Sequence, residues 1–361
     1  MICDIVLTVW NEPKITRDCI DSLVKHTHYP YRIIIVDNGS QQETMEYLKS
    51  LRERRDLDIL LIRNEQNVGF VKAGNQGLAA ATAPYVCLLS NDTLFGDGWL
   101  TEIIKVAEGN PEIGIVNPFF NTSGEYLPDD SAVDSYAKGL KGLKGKWQEM
   151  GQCVGFCMFI KKQVMDKIGL LDEIFAPYFF EETDFCRRAD KAGFKCAMAK
   201  ASYVYHIGSA TLKKRPSERE KVYMKNCDTF CRRWGRPLSI AYLALDYPEV
   251  KQDRIKEIAF SAARDKHRIW MFLKKPMAKP NQVSDHFNIS FFWLNRYFYR
   301  ILCIYKILKR KKRKKIDIIF TEDKVLSSIL EKLKFYHEAD VFFEPSLEKA
   351  KQLWRNKSVH P

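Results

Sequence analysis

Three short polar clusters follow directly on apolar runs: Thr8-Val9-Trp10-Asn11-Glu12, Val36-Asp37-Asn38-Gly39-Ser40 and Ser90-Asn91-Asp92. A fourth, Glu181-Glu182-Thr183-Asp184, puts three carboxylates into four residues. A single acidic residue at a strand end is commonplace and serves as a cap. Three on consecutive parallel strands converge on one crevice, because open α/β sheets bind ligands at the carboxyl ends of their strands. The residue types suit distinct tasks. Asp37 can hold the base or ribose of a nucleotide. Asp92 can bind a divalent cation that neutralises a diphosphate leaving group. The Glu181, Glu182 and Asp184 group can supply a general base for a hydroxyl. It stands where a helix begins, and the helix dipole favours negative charge there. A plain acidic first turn fits that spacing equally well.

These clusters need a scaffold, and the first part of the chain supplies one. Asp4 to Val9, Arg32 to Val36, Leu57 to Ile62 and Tyr85 to Leu89 read as strands; the second is apolar throughout, as strands buried on both faces are. Between them lie helical patterns. Pro13 sits where a helix starts, with Cys19, Ile20, Leu23 and Val24 at helical spacing, and residues 41–55 and 70–82 follow. This β-α alternation predicts an α/β fold with a mainly parallel, doubly wound sheet. Residues 120–150, rich in Gly, Ser, Asp and Lys, read as a mobile loop over the site or a surface insertion. Order returns with a strand over 154–160, helices over 162–168 and 181–192, and strands near 194–198 and 202–206.

The 361 residues carry a net charge of +13, unevenly spread. Residues 1–200 hold 23 basic and 28 acidic residues; residues 201–361 hold 35 and 17. The whole basic excess therefore lies in the second part, which points to an anionic partner surface there, membrane or nucleic acid. Ten cysteines include no CxxC pair, and no histidines stand at finger spacing near Cys153, Cys157, Cys227 or Cys231. Met1 to Ile5 leads straight into a strand without a signal-peptide pattern. Reduced thiols and a cytoplasmic location are the expectation.

The ordered motifs resemble those of the inverting family 2 glycosyltransferases of the GT-A fold, in a bacterial branch of rhamnosyl-, galactosyl- and glucosyltransferase-like enzymes. The carrying segments are Val36 to Ser40, Asn67-Val68-Gly69-Phe70 with Ala73 to Gly77, Leu88 to Thr93 with Gly98-Trp99-Leu100, Gly155 to Ile160, Gly169 to Glu173, Phe179 to Arg188, and His206 to Ala210. All occur in family order over residues 3–211. Each is weak alone; the ordered set is specific, and it says nothing of residues 240–361.

The resemblance implies roles. Thr8, Trp10, Glu12, Asp37, Asn38 and Asn91 would line the nucleotide-sugar pocket. Asn67, Gly69 and Asn75 would shape the loop beside the nucleotide, with Lys72 a phosphate contact and Gly155 near the sugar. Asp92 would bind Mn²⁺ or Mg²⁺. The usual acidic–x–acidic triplet is here Ser90-Asn91-Asp92, so one carboxylate remains and His206 would be a second ligand. Glu182 aligns with the family's base, with Glu181 and Asp184 as rivals. The implied reaction is a metal-assisted single displacement, from a nucleotide-diphosphate sugar to a hydroxyl of a glycan or lipid-linked acceptor, with inversion. It belongs to polysaccharide and cell-envelope biosynthesis. A nucleotidyltransferase would want a Gly-rich phosphate loop after the first strand, which Trp10-Asn11-Glu12-Pro13 is not. A non-catalytic nucleotide-sugar-binding module would dispense with the base.

The expected division is a GT-A catalytic domain over 1–212, a helical extension over 213–285 packed on it, and an aromatic and basic region over 286–361 with a small β-α-β unit near 316–345. Residues 217–235 and 249–273 read as helices. Residues 287–308 read as an aromatic amphipathic helix, packed on the protein or lying in a membrane interface, and seven basic residues run from Lys309 to Lys315. An anionic membrane surface met through 287–315 is the sharper expectation, peripheral on the inner face. Nucleic acid is the weakest, since no recognised motif is present. No apolar stretch of about 20 residues predicts a spanning helix. Oligomeric state leaves no trace in the sequence.

Overall fold

Successive residues of the first strand point into opposite layers: Ile5 and Leu7 pack in one apolar cluster and Val6 in another. Ile33 and Ile35 against Ile34, and Cys87 and Leu89 against Val86 and Leu88, repeat the split on neighbouring strands. Strand side chains alternate, so a run that is apolar at every position needs a helical layer on both faces. In the computed structural model, which describes residues 2–121, 129–208, 216–244, 252–274, 286–309 and 315–359, that demand is met. The chain forms two compact units, Met1–Thr229 and Phe230–Pro361.

The first unit is built on β1 (Cys3–Val9), β2 (Tyr31–Asp37), β3 (Ile59–Arg63), β4 (Tyr85–Ser90), β5 (Thr93–Phe95), β6 (Ile113–Phe120), β7 (Trp147–Met150), β8 (Cys157–Lys161) and β9 (Lys195–His206). The sheet order is β3-β2-β1-β4-β8-β6-β9-β5, with β7 also on β9. β3, β2, β1 and β4 are parallel. β8 runs antiparallel between β4 and β6, and β6 is parallel to β9. Helices Pro13–His26 and Trp99–Glu108 cover one face, and Phe70–Ala80, Lys162–Ile168 and Glu181–Lys191 the other. Gly77 is required where the Phe70–Ala80 helix crosses the sheet, since a Cβ there would run into the Val6 side chain. The expected strands near 194–198 and 202–206 are one continuous strand, β9.

Residues 129–150 are not the expected loop. They form a helix, Asp130–Gly139, a short 3₁₀ turn and β7. Val133 and Ala137 pack with Leu94, Tyr203 and Tyr205, with Tyr136 and Leu140 alongside. The polar residues between them mask the helical spacing of Val133, Tyr136, Ala137 and Leu140. The rest of that expectation, residues 122–128, lies outside the described residues, as do Ser209 and Ala210.

The second unit has helices as expected, and also a five-stranded parallel sheet. Its strands are β10 (Ser239–Ala244), β11 (Arg268–Lys274), β12 (Ile289–Leu294), β13 (Ile318–Thr321) and β14 (Asp340–Phe343), in the order β12-β11-β10-β13-β14. The β13–helix–β14 segment fits the anticipated β-α-β unit and extends this sheet. The helix expected over 249–273 ends at Arg264, and 268–274 is β11. Ile269 to Leu273 are all buried, and an apolar run alone does not separate a buried strand from a buried helix. The helix expected over 287–308 is likewise split into β12 and the helix Tyr299–Leu308. Residues 230–285 and 286–361 thus fold together, rather than as an extension and a separate region. Among the described residues no helix is long and apolar enough to cross a membrane.

Candidate active site

Parallel register brings the strand ends together. Val9 stands beside Asp37, Asp37 beside Arg63, and Thr8 beside Ser90. Asp37 is buried, and its carboxylate accepts from the Ser40 N–H and from the Arg63 guanidinium, which also donates to the Ser40 carbonyl. Sequence reasoning missed Arg63. Its signal was its place at the end of an apolar strand, level with a carboxylate that needs a cation.

Asn38 organises the adjacent loop. Its amide donates to Asn67 Oδ1 and the Gly69 carbonyl, and its oxygen accepts from Asn64 and the Val68 N–H. Gly69 has φ +88°, and a Cβ there would come within 2.6 Å of Pro177, so glycine is required on both counts. Asn75 does not reach this loop. Both ends of its amide are used on the Leu171 backbone, at 2.9 and 3.0 Å, which makes it a clip for the 169–173 segment. Lys72 is exposed on the following helix, and Trp10 is half-buried. Thr8 is buried and donates to the Leu89 carbonyl. Asn91 donates to Thr16 Oγ1. Asn11 and Glu12 hold left-handed backbone at the start of the Pro13–His26 helix.

Asp92 and His206 meet on the next strands. Thr93 pairs with His206, the Ile207 N–H donates to the Asp92 carbonyl, and His206 Nε2 lies 3.3 Å from Asp92 Oδ1. Asp92 Oδ1 is buried without a hydrogen-bond partner. An orphaned carboxylate oxygen facing an imidazole nitrogen fits a divalent ion, since neighbouring ligands on an octahedral ion with bonds of about 2.1 Å stand roughly 3 Å apart. The His206 ring stacks on Phe156 at 4.7 Å, and Asn121 bonds to the backbone of His206 on both sides.

From there contacts lead to the acidic cluster. The Phe156 carbonyl accepts the Ser90 N–H, and Gly155 next to it faces Glu182, with room for a Cβ at ordinary contact distance. Asn117, fully buried, fixes that turn through Val154 and the Cys157 carbonyl. The three carboxylates then diverge. Asp184 is fully buried, and Arg188 holds it while also donating to the carbonyls of Ile168 and Leu170, which ties this carboxylate into the fold. Glu181 is 5% exposed, and its Oε2 has no hydrogen-bond partner. Burial pushes the Glu181 carboxyl well above the ordinary range, and the charge of Glu182 pushes it further. Glu182 is only half-buried.

Phe179 and Phe180, which lead into these glutamates, both have left-handed backbone, at φ 77° and 74°. Such conformations in bulky residues persist only where the surroundings impose them. Asn226 does so here. Fully buried on the helix Pro216–Trp234, it donates to the carbonyls of Phe175, Tyr178 and Phe179 at 2.7, 2.9 and 3.2 Å. Tyr223, one turn earlier, packs on both phenylalanine rings. Nothing in the sequence marked Asn226, because its partners are backbone carbonyls. A second unmarked cluster, Cys153, Cys186 and Cys196, brings three sulfurs within 4.8 Å of one another. All three are buried in the apolar core, and burial pushes the Cys153 thiol well up.

Residues 4–169 match the family described as Glycosyl transferase family 2. An uncharacterized protein of Sinorhizobium fredii is 23% identical over 256 residues, 64% of this chain and 27% of that protein. A poly-beta-1,6-N-acetyl-D-glucosamine synthase of Staphylococcus epidermidis is 25% identical over 173 residues, 46% of this chain and 41% of the synthase. The chain therefore spans less than half the length of these relatives. Among solved structures, the mannosyltransferase PcManGT of Pyrobaculum calidifontis, in complex with GDP-Man and Mn²⁺, superposes with a TM-score of 0.50 at 14% identity. That likeness covers 64% of each chain and supports the fold.

Proposed function

Because residues 4–169 form a family 2 glycosyltransferase domain of the GT-A fold, we propose that the protein transfers a sugar from a nucleotide-diphosphate donor to a hydroxyl of a glycan or lipid-linked acceptor, with inversion. The observation that carries this reading is the line of contacts from Asp92 through His206, Phe156 and Gly155 to Glu182. In this reading that line joins the candidate leaving-group end to the candidate base.

In this reading Asp37, steadied by Arg63 and Ser40, holds the nucleoside, and the Asn38-centred loop walls it in. Asp92 and His206 would hold a divalent ion, Mn²⁺ or Mg²⁺, which would supply charge neutralisation for the departing diphosphate. Glu182 takes the proton of the acceptor hydroxyl as that oxygen attacks the anomeric carbon. Glu181, buried and pushed toward its neutral form, leaves Glu182 as the half-buried carboxylate facing Gly155. The synthase among the relatives favours a glycan acceptor.

A panel of UDP-, GDP- and dTDP-sugars with the purified full chain tests this. Release of nucleoside diphosphate, dependent on added metal, is expected with at least one donor, and NMR of the first product should show the inverted anomer. Nucleotide binding without turnover of any donor would favour a binding module instead. Pyrophosphate release from a nucleoside triphosphate would favour a nucleotidyltransferase.

A further inference from the structure

The helix Tyr299–Leu308 of the second unit is apolar on two opposite faces. Tyr299, Cys303 and Ile307 are buried in the unit's core. On the opposite side Phe298, just before the helix, and Ile301, Tyr305 and Leu308 follow at spacings of three, four and three, a single helical stripe, and all are exposed. Ile301 is 66% exposed, and Tyr297 beside the stripe is 91% exposed. The adjoining helix Lys334–His337 adds Phe335 and Tyr336, whose rings lie 3.8 Å apart and are both exposed. A surface helix on a soluble domain carries a polar outer face, and contiguous exposed aromatic and aliphatic groups mark an interaction surface.

Charge selects the partner. Lys306, Lys309, Lys315, Lys332 and Lys334 are exposed on or next to these helices. Seven consecutive basic residues begin where the first helix ends; Arg310 to Lys314 lie outside the described residues. Residues 201–361 hold the entire basic excess of the chain. Tyrosine and phenylalanine at the level of headgroups, flanked by lysine, are what an amphipathic helix presents to a lipid interface. A protein partner would supply discrete carboxylates for discrete lysines. A seven-residue basic run instead suits a continuous anionic sheet.

We propose that this face, Tyr297, Phe298, Ile301, Tyr305 and Leu308 with Phe335 and Tyr336, docks the protein on an anionic lipid bilayer. Its occupant is the surface itself: the aromatic stripe enters the headgroup layer and the lysines meet lipid phosphates. The docking stands apart from the glycosyl-transfer reading, since it uses no residue of the first unit.

Flotation of the full chain with phosphatidylglycerol/phosphatidylcholine vesicles tests it. The protein should float with anionic vesicles at low salt, release at high salt, and ignore pure phosphatidylcholine. I301S/Y305S and F335S/Y336S should each lower partitioning by about tenfold, with unchanged far-ultraviolet circular dichroism, because all four residues are exposed. Replacing Lys309–Lys315 by serine should abolish the salt-sensitive binding. A protein that stays soluble under every condition overturns the proposal. So do double variants that bind like wild type, a dimer in light scattering that I301S/Y305S dissolves while vesicles go unbound, or preference for a short DNA duplex over the vesicles.

Discussion

Asn226 donates its side-chain amide to the carbonyl of Phe179, at 3.2 Å, from a helix that begins beyond the last recognised motif. The same nitrogen also meets the carbonyls of Phe175 and Tyr178. One buried amide thus satisfies the backbone of a turn whose two left-handed residues aim Glu181 and Glu182. Buried carbonyls find their partners among backbone N–H groups, side-chain donors or waters; here a single donor gathers three.

Asn226→Leu removes that donor and keeps the size. It should cost about 1–3 kcal/mol of stability, the scale for leaving buried polar groups unpaired. At a temperature where the variant is still folded, kcat should fall by about tenfold or more while KM for the donor stays near wild type. That expectation follows because, in the proposed reading, the turn leads straight into the candidate base Glu182. Its Pro177 also meets Gly69 and Val71 beside the nucleotide loop, so a raised KM with unchanged kcat would move the role of Asn226 to that loop. Steady-state kinetics beside a thermal melt reads both. A variant with normal kcat and KM would make Asn226 a purely structural residue.

Glu182→Gln retains shape and removes basicity. A loss of at least ~10²-fold in kcat is expected, the ordinary contribution of a general base, with nucleotide affinity unchanged. Glu181→Gln should remain within a few fold of wild type. If their effects are exchanged, the base is Glu181. Asp184→Asn should leave turnover less affected than stability, since Arg188 already engages the buried carboxylate.

The first unit was legible because its strands announce themselves. Ile33, Ile34, Ile35 and Val36 are apolar at every position and are followed at once by Asp37, a pattern that gives strand, burial and site together. Asp92 and Glu182 stand out as candidates for the same reason, each sitting where a regular element starts or stops. Arg63 and Asn226 were harder. The signal of Arg63 is its place at a strand end level with Asp37, which shows only once the strands are paired, and Asn226 acts through backbone carbonyls, which leave no local pattern. The sheet of the second unit was obscured differently. Arg268 to Lys274 and Ile289 to Leu294 are apolar runs whose strand state depends on parallel partners far along the chain, and tertiary context decided between strand and helix.

Asp37 and Arg63 make a prediction about nucleotide affinity. Asp37→Asn keeps the hydrogen bond from the Ser40 N–H and loses the charge that Arg63 meets. Titration calorimetry with UDP and with GDP should show at least about tenfold weaker binding for the nucleotide that wild type prefers, the effect of about one charge-assisted hydrogen bond. The metal requirement of turnover should not change. Unaltered affinity for both nucleotides would move the nucleoside away from this strand end.

Asp92→Ala should abolish turnover and leave the melting temperature close to wild type. The removed Oδ1 has no hydrogen-bond partner, and what goes with it is the 3.3 Å contact with the partly exposed His206, a small contribution. Chelation of divalent ions from wild type should reproduce the loss, and readdition should restore wild type alone. A folded Asp92→Ala protein that turns over normally in metal-free buffer would end the assignment of this residue to the ion. His206→Ala tests the second ligand. It should raise the metal concentration for half-maximal activity, and it also removes a ring that stacks on Phe156, so its circular dichroism must be checked alongside.

Glu181 ties the site to stability through pH. Its carboxyl is raised above the ordinary value of 4.5 by burial first and by Glu182 second. Below that value the carboxyl is protonated whether the chain is folded or not, and contributes nothing pH-dependent. As pH rises past it, the unfolded chain releases the proton and the folded chain keeps it, so the folded state binds more protons. Stability therefore falls with rising pH until the folded group itself ionises. Glu181→Gln carries no proton to lose. It should be more stable than wild type at pH 7, because it has no carboxyl whose ionisation favours the unfolded chain. The advantage should shrink as pH falls and vanish below about pH 4. Urea denaturation of both proteins between pH 4 and 8 measures it. A constant difference across that range would mean that the gain comes from packing or hydrogen bonding, and that Glu181 ionises in the folded protein as it does in the unfolded one.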